Sequence, residues 1–159
     1  MADSLRAIME RIKESSRQEH MDSLGAENAC AFMWRLASSG VPPDYLETVW
    51  SHLHVLSMFL KAHQEYEGFD SMRPWDFSRL ICTYYPKNFW IPPNLPREVL
   101  VEVQKGLLIT IADYARFLID QGEMKGPCFA EEALQRMFQE RGRVKRLRRP
   151  AGKNSDRGV

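Results

Sequence analysis

At 159 residues, with 44% apolar and 27% charged side chains, the chain has the make-up of one soluble globular domain. It shows neither the low hydrophobicity of a disordered chain nor an apolar run near the roughly 18 residues that would argue for a membrane span. Its net charge of +1 conceals a split: residues 141–159 carry eight Lys or Arg against one Asp, net +7, and residues 1–140 carry fourteen against twenty acids, net −6.

Leu5, Ile8, Met9 and Ile12 recur at helical spacing behind Asp3 or Ser4 as a cap, which predicts an amphipathic helix over 4–19. A second helix is predicted over 26–38, with Ala29, Phe32, Met33 and Leu36 on one side and Gly40 as the left-handed residue beyond its end. Pro42, Pro43 and Asp44 open a third, with Glu47 completing a capping box three residues after Asp44. Its stripe runs through Leu46, Val49, Leu53, Leu56 and Leu60, widened by Trp50 and Phe59, and Gly68 marks its expected end.

Residues 69–94 break the rhythm. Pro74, Pro86, Pro92 and Pro93 confine any helix to 75–85, where Phe77, Leu80, Ile81 and Tyr84 share a face, and leave 87–93 extended. Asn94, Leu95 and Pro96 restart a helix that reaches about Gln121. Leu100, Val103, Leu107, Ile111, Tyr114 and Leu118 line one face of it, and Val99, Leu108, Ala115 and Ile119 line another. Two apolar faces place this helix through the middle of the fold, with Gly106 admitting a close neighbour.

A last helix begins near Cys128, with Phe129, Ala133, Leu134, Met137 and Phe138 in phase; Val144, seven residues beyond Met137, can prolong it at the cost of Gly142. No Asn-Gly or Asp-Gly hairpin signal separates alternating apolar runs. The expected fold is therefore all-α: a compact array of about six helices over 1–140 and a flexible basic C-terminal tail over 141–159.

Cys30, Cys82 and Cys128 are odd in number, scattered and set among apolar residues, as buried reduced thiols are. The first residues alternate charged with apolar side chains, unlike a signal peptide. Both features point to the cytoplasm.

The basic tail is the foremost candidate site. Arg141, Arg143, Lys145, Arg146, Arg148 and Arg149 crowd nine positions, and the planar guanidinium fork suits phosphate. Such a segment engages nucleic acid or another polyanion with steep salt dependence, or else an acidic protein surface; the plain alternative is a solvated helix end. Between residues 66 and 90 stand eight of the seventeen aromatics, and Tyr85, Phe89 and Trp90 lie where prolines hold the chain away from regular packing. Those three are the candidate anchors for a protein partner or a second copy, although large rings more commonly fill the core.

Metal chemistry finds little support. His52 and His63 share a helix face but lie about 16 Å apart along it. His63 and Glu67 have one-turn spacing without a further ligand motif. No Gly-x-Ser-x-Gly or phosphate-loop sequence occurs, so no cofactor is expected. If the protein were an enzyme with a site assembled from distant residues, His54, His63, Asp113 and Tyr114 would be the groups to examine.

Overall fold

The computed structural model describes residues 2–16, 24–89, 91–125 and 127–139, and every regular element among them is helical. The α-helices are Ala2–Ser16 (α1), Ala26–Ser38 (α2), Pro43–Ala62 (α3), Pro74–Arg79 (α4), Tyr85–Asn88 (α5), Arg97–Asp120 (α6) and Ala130–Leu134 (α7). A 3-10 turn spans Phe69–Ser71. The π-helical turn Leu80–Tyr84 joins α4 to α5, and a second one, Gln135–Gln139, prolongs α7. The described residues therefore form six continuous helical bodies, and none is long and apolar enough to cross a membrane.

The apolar stripes dictate the packing. Ile8, Met9 and Ile12 of α1 are buried, and α1 lies against both α2 and α3. Ala29, Phe32 and Met33 turn α2 inward, and Leu46, Val49, Leu53, Leu56, Phe59 and Leu60 do the same for α3. α3 and α6 form the centre, with α1 and α2 on one side and α4 and α7 on the other. Phe77, Leu80 and Ile81 are fully buried, which turns Cys82 outward: Cys82 is exposed, contrary to the expectation of three buried thiols, while Cys30 and Cys128 are half-buried.

Local chemistry sets the helix ends. Past α2, Gly40 takes φ +90°, its N–H donates to the Ala37 carbonyl, and the Val41 N–H donates to that of Leu36; Gly122 closes α6 in the same way at φ +76°. α3 begins a residue before the expected capping box, with Pro43 preset for the first helical turn and Pro42 accepting from the Leu46 N–H. Asp44 is thus inside the helix and caps nothing, and Glu47 is freed to pair with Arg11 of α1.

α3 also ends earlier than Gly68. The His63 ring stacks on Phe59 at 4.3 Å, and its Nδ1 and backbone N–H both reach the Phe59 carbonyl, at 2.9 and 3.0 Å, so the chain leaves the helix there. Pro86 does not stop the next helix as expected. A proline ring inside an α-helix meets the carbonyl four residues back. The wider π turn, in which the Tyr85 N–H donates to the Leu80 carbonyl, carries the chain past it to Asn88, so 87–88 are helical and the extended path begins at Phe89.

The long helix differs most from expectation. From Leu107 to Leu118 both apolar faces are buried, but its first half is not wrapped: Val99 is 44% exposed, and Leu100, Val101 and Val103 are half-buried.

Candidate interaction surface

The tail residues Arg141, Arg143, Lys145, Arg146, Arg148 and Arg149 lie outside the described residues, as does Trp90. What the structure does give is the point from which the tail departs. Arg116 of α6 pairs with Glu131 of α7, and farther on the Lys105 ammonium sits over the Phe138 ring, 5.7 Å from its centroid. As the chain number rises along α7 it falls along α6, so the last described residues run antiparallel to α6 and head for its open first half.

Tyr85 and Phe89 are half-buried, with ring centroids 5.7 Å apart, and both pack against the periphery of the core. They extend a ring cluster centred on the buried Phe59. Tyr84 meets Phe59 edge-on at 5.1 Å and His63 at 5.7 Å, Tyr66 stacks on Phe59 at 6.0 Å, and Phe89 meets Tyr84 at 6.2 Å. Burial disfavours ionisation of the Tyr84 and Tyr85 phenols and pushes it to higher pH. Tyr66 is pushed up to about 12, by burial first and then by its hydrogen bond to Asp76, whose Oδ1 accepts from the hydroxyl at 2.6 Å. The other Asp76 oxygen accepts from the Arg73 N–H at 2.8 Å, so one carboxylate both caps α4 and anchors the loop after α3.

Sequence reasoning counted but did not single out the most open ring among the described residues of this segment. Trp75, at the first turn of α4, is 66% exposed while Pro74 beside it is buried. Its place just after a helix-opening proline was the available signal, since the first turn of a short helix leaves a side chain little to pack against.

Three of the four polar residues considered for catalysis, Tyr114, Asp113 and His63, each meet a different partner. The Tyr114 hydroxyl donates to the Leu24 carbonyl at 2.8 Å inside the core, where its ring stacks on Phe69. Asp113 is exposed and 3.6 Å from Arg116; burial raises its carboxyl, and the guanidinium partly offsets that. Because a carbonyl only accepts, His63 must carry its proton on Nδ1. With α3 ending at Ala62, His63 and Glu67 lose the one-turn helical spacing that could chelate. Among the described residues no group of three His, Cys, Asp or Glu could hold a metal ion.

Sequence gave no warning of a close polar contact between the two central helices. His52 Nδ1 is 2.8 Å from Thr110 Oγ1, and the ring lies over Gly106, where a Cβ would meet its Cε1 at 3.4 Å. Gly106 does admit a close neighbour, and that neighbour is this imidazole. Burial pulls His52 down to about 4, so it is neutral at physiological pH.

A shallow cleft of about 340 Å³ opens between α1 and α3, lined by Ile8, Arg11, Ile12, Glu47, Trp50 and Ser51. The Arg11–Glu47 pair neutralises its two charged groups against each other, so it offers an apolar floor rather than a poised acid or base. Among the described residues, several large apolar or aromatic side chains also face outward: Trp34, Tyr45, Trp75, Val99, Ile109 and Ile119. No protein-family profile, curated protein or solved structure matches this chain.

Proposed function

We propose that the protein is a non-catalytic binding protein whose cationic C-terminal segment engages nucleic acid or a similar polyanion while the helical body serves as its anchor. The observation that carries this reading is the charge segregation, a net −6 over residues 1–140 against +7 over 141–159, with Arg outnumbering Lys in the tail. Each phosphate that Arg141, Arg143, Lys145, Arg146, Arg148 or Arg149 neutralises releases condensed counterions, so affinity comes without sequence readout. The acidic body discourages the nucleic acid from spreading beyond the tail. Three unpaired cysteines, one of them exposed, fit a reducing compartment, and we assign the protein to the cytoplasm on that basis.

The test is fluorescence anisotropy of labelled mixed-sequence DNA and RNA titrated with the full chain and with a variant carrying Gln at all six tail positions. The wild type binds, loses about a thousandfold in affinity between roughly 50 and 200 mM salt if all six cations are engaged, and the variant does not bind. Equal binding by both proteins rejects the reading.

A second reading, a protein-interaction module or homo-oligomer built on the aromatic segment 66–90, is favoured by the exposure of Trp75 on that segment. Tyr85, Phe89 and Trp90 would supply the flanking contacts. In sedimentation velocity it gives a concentration-dependent mass that Trp75→Ala abolishes with the tail intact; a monomer at all concentrations rejects the self-association form.

A further inference from the structure

The first helix leaves part of its own seat unfilled. We propose that the face of α2 and α3 beneath α1 is a helix-receiving groove, held in this chain by α1 as a stand-in, whose partner is an amphipathic helix of another protein with an aromatic ring in the place of Ile12 and a cation in the place of Arg11. The groove is separate from the basic tail and from segment 66–90, so it stands apart from both readings of function above.

Three observations lead there. The first is unfilled space. Ile8 and Ile12 are buried, yet with the half-buried Trp50 they line the cleft of about 340 Å³ between α1 and α3. An apolar cavity of about 150 Å³ is enough to hold benzene. The cleft therefore has room for a ring that isoleucine does not supply, and that ring would lie against the Trp50 indole, a favourable aromatic contact. The second is charge. Arg11 pairs with Glu47 at the rim, where both are exposed, so the pair adds little hold but selects a helix that carries a cation one residue before the ring. The third is support. The Phe32 ring of α2 meets Tyr114 and Phe117 of α6 at 5.2 and 5.4 Å, and His52 of α3 meets Thr110 of α6 at 2.8 Å. None of these contacts involves α1, so the groove keeps its shape when α1 leaves.

The pattern of α1 is that of a groove ligand. Leu5, Ile8, Met9 and Ile12 take the i, i+3, i+4, i+7 positions by which an amphipathic helix is read in an apolar groove, and Ile8, Met9 and Ile12 are buried while Leu5 packs against the same core. A tethered segment acts at an effective concentration in the millimolar range, about what a short flexible linker gives. A loose fit therefore suffices to hold α1 in place, and a helix arriving from solution displaces it only by fitting better. The cleft beside Trp50 is where the fit can improve.

The experiment titrates the full-length protein with two fluorescein-labelled peptides of residues 2–16, one of native sequence and one carrying Ile12→Phe, and follows the protein by NMR. The expected result is that the Ile12→Phe peptide binds about tenfold tighter than the native one, because the ring buries apolar surface that isoleucine leaves unused. It moves the Trp50 indole signal and speeds hydrogen exchange at the Ile8, Met9 and Ile12 amides of the protein while Leu53 stays protected. Placing Ile12→Phe in the full-length chain fills the cleft from within, raises its thermal midpoint and weakens binding of the Ile12→Phe peptide about tenfold. Equal affinity of the two peptides, absence of binding by both, or binding that leaves Trp50 and the α1 amides unmoved overturns the proposal. So does a lowered midpoint in the full-length Ile12→Phe variant, which would mean that the cleft does not accept the ring. None of these readouts involves the six tail cations or Trp75, so failure here leaves both readings of function where they stood.

Discussion

Replacing His52 with Asn isolates the energetic consequence of burying an imidazole between α3 and α6. In the folded protein His52 ionises at about 4, against 6.5 when exposed, and burial is the cause. The unfolded chain therefore takes up a proton first as pH falls, and the folded state binds fewer protons throughout that interval. The stability tied to a neutral His52 is fully present above pH 6.5 and is lost progressively as pH falls towards 4. Integrating over these two values gives a loss of about 2 kcal/mol between pH 8 and pH 5. Asn carries an amide near the position of Nδ1, preserving a partner for Thr110 Oγ1 while removing the titration. Urea unfolding at pH 8 and pH 5 is the assay. With slopes of about 1 to 3 kcal/mol per molar, the wild-type midpoint falls about 1 M further than that of His52→Asn over this interval. Asp113 and every other titrating group are common to both proteins and cancel in the comparison. Identical pH dependence in the two proteins would refute the reasoning, because it would mean that His52 is protonated equally in the folded and unfolded states.

Other substitutions probe neighbouring contacts by chemical denaturation. Gly106→Ala gains up to about 1 kcal/mol of helix propensity, since the new Cβ meets the His52 ring only at the edge of van der Waals contact, whereas Gly106→Leu overpacks the crossing and loses about 1 to 3 kcal/mol. Tyr66→Phe gives up the hydroxyl that donates to the Asp76 carboxylate and costs about 1.5 kcal/mol; Asp76→Ala costs more, because the α4 cap goes with it. Leu53→Ala, at a fully buried position of α3, destabilises by about 2 to 5 kcal/mol. Arg11→Ala, at an exposed ion pair with Glu47, changes stability by less than about 1 kcal/mol.

Periodicity made the helices legible. Ala29, Phe32 and Met33 or Leu46, Val49 and Leu53 can share a side only in a helix, and α2 spans the predicted residues. Boundaries failed where a side chain outweighed the local pattern. The His63 ring found more contact on Phe59 than a further helical turn would have offered, and the Leu80–Tyr84 π turn absorbed a proline that should have ended the helix. The exposure of Cys82 follows from that same turn, since Leu80 and Ile81 together occupy the inward positions.

Hydrophobic period reports which face of a helix is apolar but not how far along that face a neighbour extends. For this reason α6 read as buried throughout, when its cover ends near Lys105, at the level where the described part of the C-terminal helical body stops. Contacts between elements were hidden for a related reason. Nothing within α3 announces that His52 will meet Thr110, and nothing within α1 that Arg11 will meet Glu47, because the spacing of residues along one helix carries no record of the helix that crosses it. Charge is the exception. A run of cations keeps its sign wherever the chain goes, so the tail could be singled out from sequence alone, and the structure adds the place beside Lys105 from which it must start.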